Sequence, residues 1–331
     1  MAAFFMMKKI ALIYMGGTFG CVGEPLSPMP AEQFLPRLAQ VLPLNLEIEC
    51  FVAPVIKDSS ACTAADWLQL IQYIQKLQHD DFQHFVILHG TDTLSYASAV
   101  LARFLAQSTH VILTGSQYPL LNAQGTDTRE FSDALDNLNF ALQQIHQVTQ
   151  GVYLAFHQQL IHAATALKQH TTELNAFTGQ SALVYTENKS QNEPAFNIST
   201  QHIEKAQHFN CLNWMLQPIA ISALVDNLKA LQQQPPHCLI LQSYGTGNMA
   251  VNAEVIELIQ ALQAQQCAVI LTTQVTFGGM QQRYAISQWL QDSKILISDC
   301  QSHADLYAKA LKMYLQYDSL AQWYAHWQSS V

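Results

Sequence analysis

The chain has 331 residues, of which half are hydrophobic, 10% aromatic and only 12% charged. This composition excludes intrinsic disorder and supplies enough apolar material for two domains or one large one. Fifteen basic against 24 acidic residues give a formal charge of −9; there is no basic footprint for a phosphate backbone, and neither DNA nor RNA is expected as a partner.

Apolar runs all fall short of the roughly 18 to 20 residues that cross a bilayer, so no membrane association is expected. Near the start, Lys8 and Lys9 follow an apolar run, the reverse of a secretion signal, which reads as a cytoplasmic protein. Seven cysteines, Cys21, Cys50, Cys62, Cys211, Cys238, Cys267 and Cys300, are odd in number, scattered and never spaced as CxxC, and are read as buried reduced thiols. Thirteen histidines include no HExxH pair, so no metal is expected.

Short apolar runs alternate with longer periodic stretches, the pattern of an α/β protein with a largely parallel sheet. Strands are expected at 10–14, 85–89, 111–114 and 152–156, with helices near 63–78, 94–107 and 133–147. A polar stretch at about 186–209 suits a linker. Beyond it, strands near 219–225, 238–241, 268–272 and 295–297 alternate with helices near 252–265 and 304–317, forming a smaller α/β unit. The expected organisation is a larger N-terminal domain at 1–190, a linker at 191–214 and a C-terminal α/β domain at 215–331.

In open α/β sheets, ligands sit beyond the carboxyl ends of the strands. After the first strand, Gly16-Gly17-Thr18 permits a tight turn and close backbone approach that expose a hydroxyl. A nucleotide loop is excluded, because GxGxxG is not satisfied and Pro25, Pro28 and Pro30 prevent a helix from starting there to receive a pyrophosphate. An ordinary glycine turn is the alternative. After the second expected strand comes His89-Gly90-Thr91-Asp92-Thr93. It reads either as a helix cap or as a hydroxyl, a carboxylate and free helix amides gathered at one point, with His89 in support.

GGT at 16–18 and HGTDT at 89–93 are joined by Asp58-Ser59-Ser60, Thr114-Gly115-Ser116-Gln117, Asn137-Leu138, Lys168 and Tyr244-Gly245-Thr246-Gly247-Asn248. In order and spacing, through most of the chain, this set resembles the asparaginase and glutaminase family, its cytoplasmic type I branch above all. The resemblance implies an amidohydrolase without metal or organic cofactor, acting on a small amino acid: L-asparagine first, L-glutamine as the alternative. It implies Thr18 as nucleophile, Thr91, Asp92 and Lys168 as a second catalytic group, and Asp92 as partner of the substrate ammonium. Ser59 and Ser60 would donate to the substrate carboxylate. Asn248 would reach a neighbouring subunit's site in a homodimer or homotetramer.

A threonine hydroxyl is weakly acidic and needs a proton acceptor and a preorganised oxyanion site. Burial disfavours the charged form of a lysine, while a facing carboxylate favours it, and these influences oppose each other at Lys168. Taken singly, Asp58-Ser59-Ser60 also reads as a loop entering a helix, Asn248 as part of a Gly-rich turn and Lys168 as a surface lysine. Two other readings of the whole chain are a catalytically silent amino-acid binder and the amidase subunit of a tRNA-dependent amidotransferase; the acidic balance counts against the second.

The pattern departs from the resemblance at several points. Relatives carry a tyrosine in the loop after GGT, whereas no tyrosine lies between Tyr14 and Tyr73; Glu24, Ser27 and Tyr118 are the candidate substitutes. Residues 120–131 form a longer loop than usual, placed to cover the site. Thr165 stands where an arginine is common. Val275 follows Thr273-Gln274 where allosteric relatives have a cysteine, so control by asparagine is not expected, and 281–305 match poorly.

Overall fold

In the computed structural model, which describes residues 9–182, 194–276, 280 and 288–327, the chain divides into two units, Met1–Gln207 and His208–Val331. The first is built on strands β1 (Ile10–Tyr14), β4 (Ile48–Val52), β5 (His84–Leu88), β6 (His110–Thr114), β7 (Gly151–Phe156) and β8 (Gln159–His162). They form one sheet in the order β4-β1-β5-β6-β7-β8. All neighbours pair in parallel except β7 with β8. That last pair is a hairpin whose two linking residues, His157 and Gln158, both have positive φ, as a two-residue turn between right-twisted strands requires.

Every residue of β1, β5 and β7 is buried, which is why these strands read as continuous apolar runs. Alternate side chains serve opposite faces. Ile10, Leu12 and Tyr14, with Val86, Leu88 and Ile112, pack against Phe34 and Leu38 of helix α1 (Ala31–Gln40) and Ala134, Leu138 and Ala141 of helix α4 (Ala134–Gln144). Helices α2 (Ala64–His79) and α3 (Leu94–Leu105) pack against each other, α3 also lying on β6 and β7.

Numbered by appearance in the chain, the five parallel strands run 2-1-3-4-5, so the connection from the second to the third passes over β1. The chain therefore leaves β1 and β5 in opposite directions. The crevice between their carboxyl ends is the topological switch point, the expected ligand position in such sheets. Two small hairpins complete this end of the unit: β2 (Cys21–Val22) with β3 (Ser27–Pro28), and β9 (Leu167–Lys168) with β10 (Phe177–Thr178).

The boundary between units falls inside the stretch read as linker. Residues 183–193 lie outside the described residues, but helix α5 (Thr200–Gln207) packs on α2. Just before it, Gln75 donates to the Phe196 carbonyl at 2.8 Å and accepts from the Ile198 amide at 3.1 Å. Strand β11 (Cys211–Met215) then opens the second unit, in a parallel sheet ordered β11-β12-β13-β14 with β12 (Cys238–Ser243), β13 (Ala268–Thr273) and β14 (Leu296–Ile297). Helices α6 (Ile221–Leu231), α7 (Ala253–Ala264), α8 (Gln288–Ser293), α9 (His303–Gln316) and α10 (Leu320–His326) follow in chain order.

The strand expected at 219–225 is instead the start of α6. The run Ile-Ala-Ile-Ser-Ala-Leu-Val looks continuous, yet Leu224, Val225 and Leu228 are the residues it buries. Their spacing of one, three and four residues is that of one helical face. All seven cysteines are free; Cys238 and Cys267 are buried, whereas the other five are partly exposed, against the expectation of burial throughout. Lys309 of α9 is 1% exposed, pairs with Asp299 at 2.9 Å and lies over the Trp327 ring. Among the described residues, no helix is long and apolar enough to cross a membrane.

Leu12, fully buried in β1 beneath α1 and α4, tests this packing. Leu12→Ala is expected to destabilise the first unit by about 2–5 kcal/mol, through lost burial and the cavity left behind. Urea unfolding monitored by circular dichroism reads the change, and a loss within experimental error would contradict the core assignment.

Candidate active site

The turn after β1 is shaped by two glycines with positive φ, Gly16 at +100° and Gly17 at +84°. A side chain at Gly17 would collide with the Cα of Gly90, and one at Gly16 would lie 2.6 Å from the Lys57 carbonyl oxygen. Only glycine lets these backbones meet. Thr18 follows at once, half-buried, opening a short 3-10 turn, Thr18–Gly20. On the neighbouring strand, paired Tyr14 to Leu88, Thr91 follows Gly90. The two threonines thus stand one residue beyond the touching glycines, on the same edge of the sheet at its switch point.

Thr91 is 6% exposed. The Lys168 ammonium nitrogen donates to the Thr91 hydroxyl oxygen at 2.9 Å and to a carboxylate oxygen of Asp92 at 3.2 Å. Asp92 itself is largely exposed. Lys168 is delivered from β9, after a 3-10 turn, Ala163–Thr165, in which Ala163 and Ala164 are buried. Thr165 holds that turn, its hydroxyl donating to the His162 carbonyl at 2.9 Å and accepting from the Gln180 amide at 2.9 Å.

The capping reading of HGTDT gives way here. Thr93 occupies the cap position of α3 without a side-chain cap bond; its hydroxyl donates to the Ser59 carbonyl at 2.7 Å. Ser59 is 3% exposed and its hydroxyl oxygen accepts from the Asp92 amide at 3.2 Å, while a side chain at Gly90 would press on that oxygen at 2.5 Å. Ser60 is differently engaged: its hydroxyl donates to Asp58 at 2.6 Å and its amide to the same oxygen at 2.8 Å. These two bonds hold the Asp58 carboxyl below the usual range. Asp58 is near enough to Cys21, three residues past Thr18, that its charge adds to burial in pushing that thiol up. Asp66, accepting from the Thr63 amide and hydroxyl at 2.8 Å and from Lys57 at 2.9 Å, anchors the far end of this loop.

His89 supports the geometry from beneath. Trp67 can only donate, and its indole N–H points to His89 Nε2 at 3.2 Å. The ring proton is therefore on Nδ1, which donates to the Gly90 carbonyl at 2.7 Å. Burial lowers the His89 pKa to about 4, against the opposing pull of that backbone bond. The imidazole is neutral at pH 7 and orients the turn without titrating there.

Asp133, outside the motifs, and Asn137, in the Asn137-Leu138 match, prove central. Asp133 accepts from the Gln117 amide at 3.0 Å and the Tyr118 amide at 3.0 Å. Asn137 donates to Asp133 and to the Gly115 carbonyl, both at 3.0 Å, and accepts from the His157 amide at 2.8 Å. Together they tie the loop after β6 to α4 and to the end of β7. Asp133 stands just before α4, and an acidic residue there reads as an ordinary helix start, so its sequence signal is weak. Of the suggested tyrosine substitutes, Tyr118 lies 43% exposed beneath Arg129, and Ser27 donates within its own hairpin to the Val22 carbonyl at 3.4 Å. Glu24 is exposed.

Asn248 belongs to the second unit. It closes the loop after β12, exchanging bonds of 2.8 Å with Tyr244 while Gly245 and Gly247 take positive φ. The Thr273 hydroxyl donates to the Gly245 carbonyl. Thr18, Ser59, Ser60, Thr91, Asp92 and Lys168 all lie in the first unit, on the linked loops described above. Among the described residues, no group of three or more His, Cys, Asp or Glu side chains could hold a metal ion.

The N-terminal asparaginase family model matches residues 9–201. L-asparaginase 1 of Escherichia coli K12 is 29% identical over 287 residues, covering 82% of this chain and 81% of that protein. The crystal structure of L-asparaginase I from Vibrio cholerae superposes with a TM-score of 0.75 at 24% identity, covering 97% of both chains. The thermostable L-asparaginase from Thermococcus kodakarensis gives 0.73 at 22%, covering 94% of this chain and 97% of that one.

The neutral buried His89 sets a pH dependence. The folded state keeps the ring unprotonated down to about pH 4, whereas the unfolded chain takes up a proton below about 6.5, so stability falls as pH drops through that window. Between pH 7 and 4, wild type is expected to lose on the order of 3 kcal/mol more than His89→Gln. Parallel urea titrations measure the difference, and identical pH profiles would refute the buried neutral ring.

Proposed function

Because the chain belongs to the asparaginase family and is an amidohydrolase, we propose that it hydrolyses L-asparagine to L-aspartate and ammonia with Thr18 as nucleophile. One arrangement carries this reading: the Lys168–Thr91–Asp92 group stands on the turn whose glycine touches the turn of Thr18.

The Thr18 hydroxyl attacks the side-chain amide carbon. Its proton passes to Thr91, whose own proton replaces one that the Lys168 ammonium delivers to the departing nitrogen, which leaves as ammonia. The resulting ester is opened by water, whose oxygen becomes part of the aspartate carboxylate; one of its protons restores the Thr18 hydroxyl and the other leaves the new carboxyl group and is taken up by the released ammonia. A hydroxyl bonded to an ammonium is a better proton conduit than a free one, because the lysine stabilises negative charge developing on Thr91.

Substrate recognition falls to the loops around it. The exposed Asp92 carboxylate faces the substrate ammonium. Ser59 accepts from the Asp92 amide, leaving its own proton for the substrate carboxylate. Ser60 contributes with its hydroxyl shared with Asp58. Asn248, exposed on its tight loop in the second unit, serves the site of a second copy in a homodimer or homotetramer, and the protein works in the cytoplasm. Asparagine and glutamine differ by one methylene, a distinction of only about 1–3 kcal/mol in a fitted pocket, so glutamine is the expected weaker substrate.

Ammonia release from L-asparagine and L-glutamine, assayed in parallel, tests the reading. Thr18→Ala is expected to lower turnover by at least about a thousandfold and Lys168→Met by roughly a hundredfold or more. A Thr18→Ala protein with full turnover ends the nucleophile assignment.

A further inference from the structure

We infer that the hairpin at residues 120–129 is a fixed brace for the segment that follows Thr18, so that the nucleophile's turn is held by packing and needs no closing lid. This rests on the reading of Thr18 as nucleophile. The segment 19–29 cannot hold itself. Its own hairpin, β2 with β3, consists of two residue pairs, Cys21 with Pro28 and Val22 with Ser27, and a two-stranded ribbon of that size is not stable alone.

What it lacks internally is supplied from outside. The Leu120 amide donates to the Phe19 carbonyl at 3.0 Å, one residue past Thr18, and the Gly23 amide donates to the Ala123 carbonyl at 3.0 Å. Gly125, at φ +68°, brings its bare backbone against the same segment: a side chain there would lie 2.5 Å from the Met29 methyl carbon and 3.5 Å from Val22. Arg37 of α1 donates to the Thr126 carbonyl at 3.1 Å, fixing the hairpin from its other side.

The brace is itself rigid. Leu121 pairs with Thr128, the Asn122 amide donates to the Asp127 carbonyl at 2.8 Å, and the Asn122 side chain accepts from the Thr126 amide at 3.0 Å while donating to the Thr126 hydroxyl at 3.2 Å. From below, the fully buried Tyr14 hydroxyl fills the space where a side chain of Gly20 would project. The turn of Thr18 is thus clamped between the end of β1 and a rigid outer hairpin.

The test replaces Asn122–Asp127 with Asn-Gly. The paired Leu121 and Thr128 are then joined by a two-residue turn, which deletes the contacts of Ala123, Gly125 and Thr126 with the segment. A milder variant, Asn122→Ala, loosens the tip at full length and serves where the shortened chain does not fold. Asparagine turnover is measured against solvent viscosity, together with amide exchange over residues 18–29. Wild-type kcat is expected to be independent of viscosity. In either variant kcat falls about tenfold or more, becomes viscosity-dependent because closure is now a step of the cycle, changes more than KM, and is accompanied by faster exchange in 18–29.

A folded variant with wild-type kcat and wild-type exchange overturns the brace, and so does a wild-type kcat that already falls with viscosity. A Thr18→Ala protein with full turnover would instead remove the nucleophile reading, leaving the exchange measurement to decide whether the segment is braced.

Discussion

The contact between Gly17 and Gly90 governs the arrangement of everything around it. It joins the turns of two adjacent parallel strands at the point where the sheet's connections diverge, and it exists because neither residue carries a side chain. Any substituent would push the turns apart and, with them, the two hydroxyls that follow. The same closeness recurs one layer out, where Gly90 abuts Ser59 and Gly115 abuts the His89 carbonyl. With Gly16 against the Lys57 carbonyl, these contacts form a row that links the segments after β4, β1, β5 and β6. Side chains with functional groups are held by this row, so their spacing is a property of the sheet and not of loop flexibility.

Polar groups around that row are arranged so that each restrains a neighbour. His89 fixes Gly90, Ser59 takes the Asp92 amide and receives Thr93, and Asp133 with Asn137 fixes the loop carrying Gly115. Lys168 is the one functional group in this set brought from a hairpin outside the main sheet. Thr165 holds that hairpin's approach. The lysine therefore reaches Thr91 from a backbone already fixed by hydrogen bonds.

The central strands were legible because a buried parallel strand leaves a continuous apolar run, and their bounds agree with the sequence to within a residue or two. The edge strand β4, Ile-Glu-Cys-Phe-Val, is only partly buried and leaves no such run. Helix α1 contains Pro36 and follows three prolines, which obscures its pattern, and α6 reads as a strand because the apolar residues at 219–221 and 223–225, broken only by Ser222, look like one short run. The candidate site was legible as motifs, whose local chemistry suggested hydroxyls and a carboxylate at strand ends. What could not be read is the non-local part. That Tyr14 lies under Gly20, that 120–129 grips 19–29, and that Thr93 serves Ser59 in place of its own helix all depend on pairs of residues separated by the fold, with no periodicity or spacing to announce them.

The ionised Asp58, held by Ser60 within reach of Cys21, has a consequence for the traffic of small molecules. Hydrolysis of an amide to an acid turns a neutral side chain into an anion in the presence of this carboxylate and that of Asp92. Both carboxylates are exposed, so solvent screens their charge and the repulsion that the new anion meets is weak. What remains of it acts against the acid and not against the neutral amide, and it shrinks further as added electrolyte screens it.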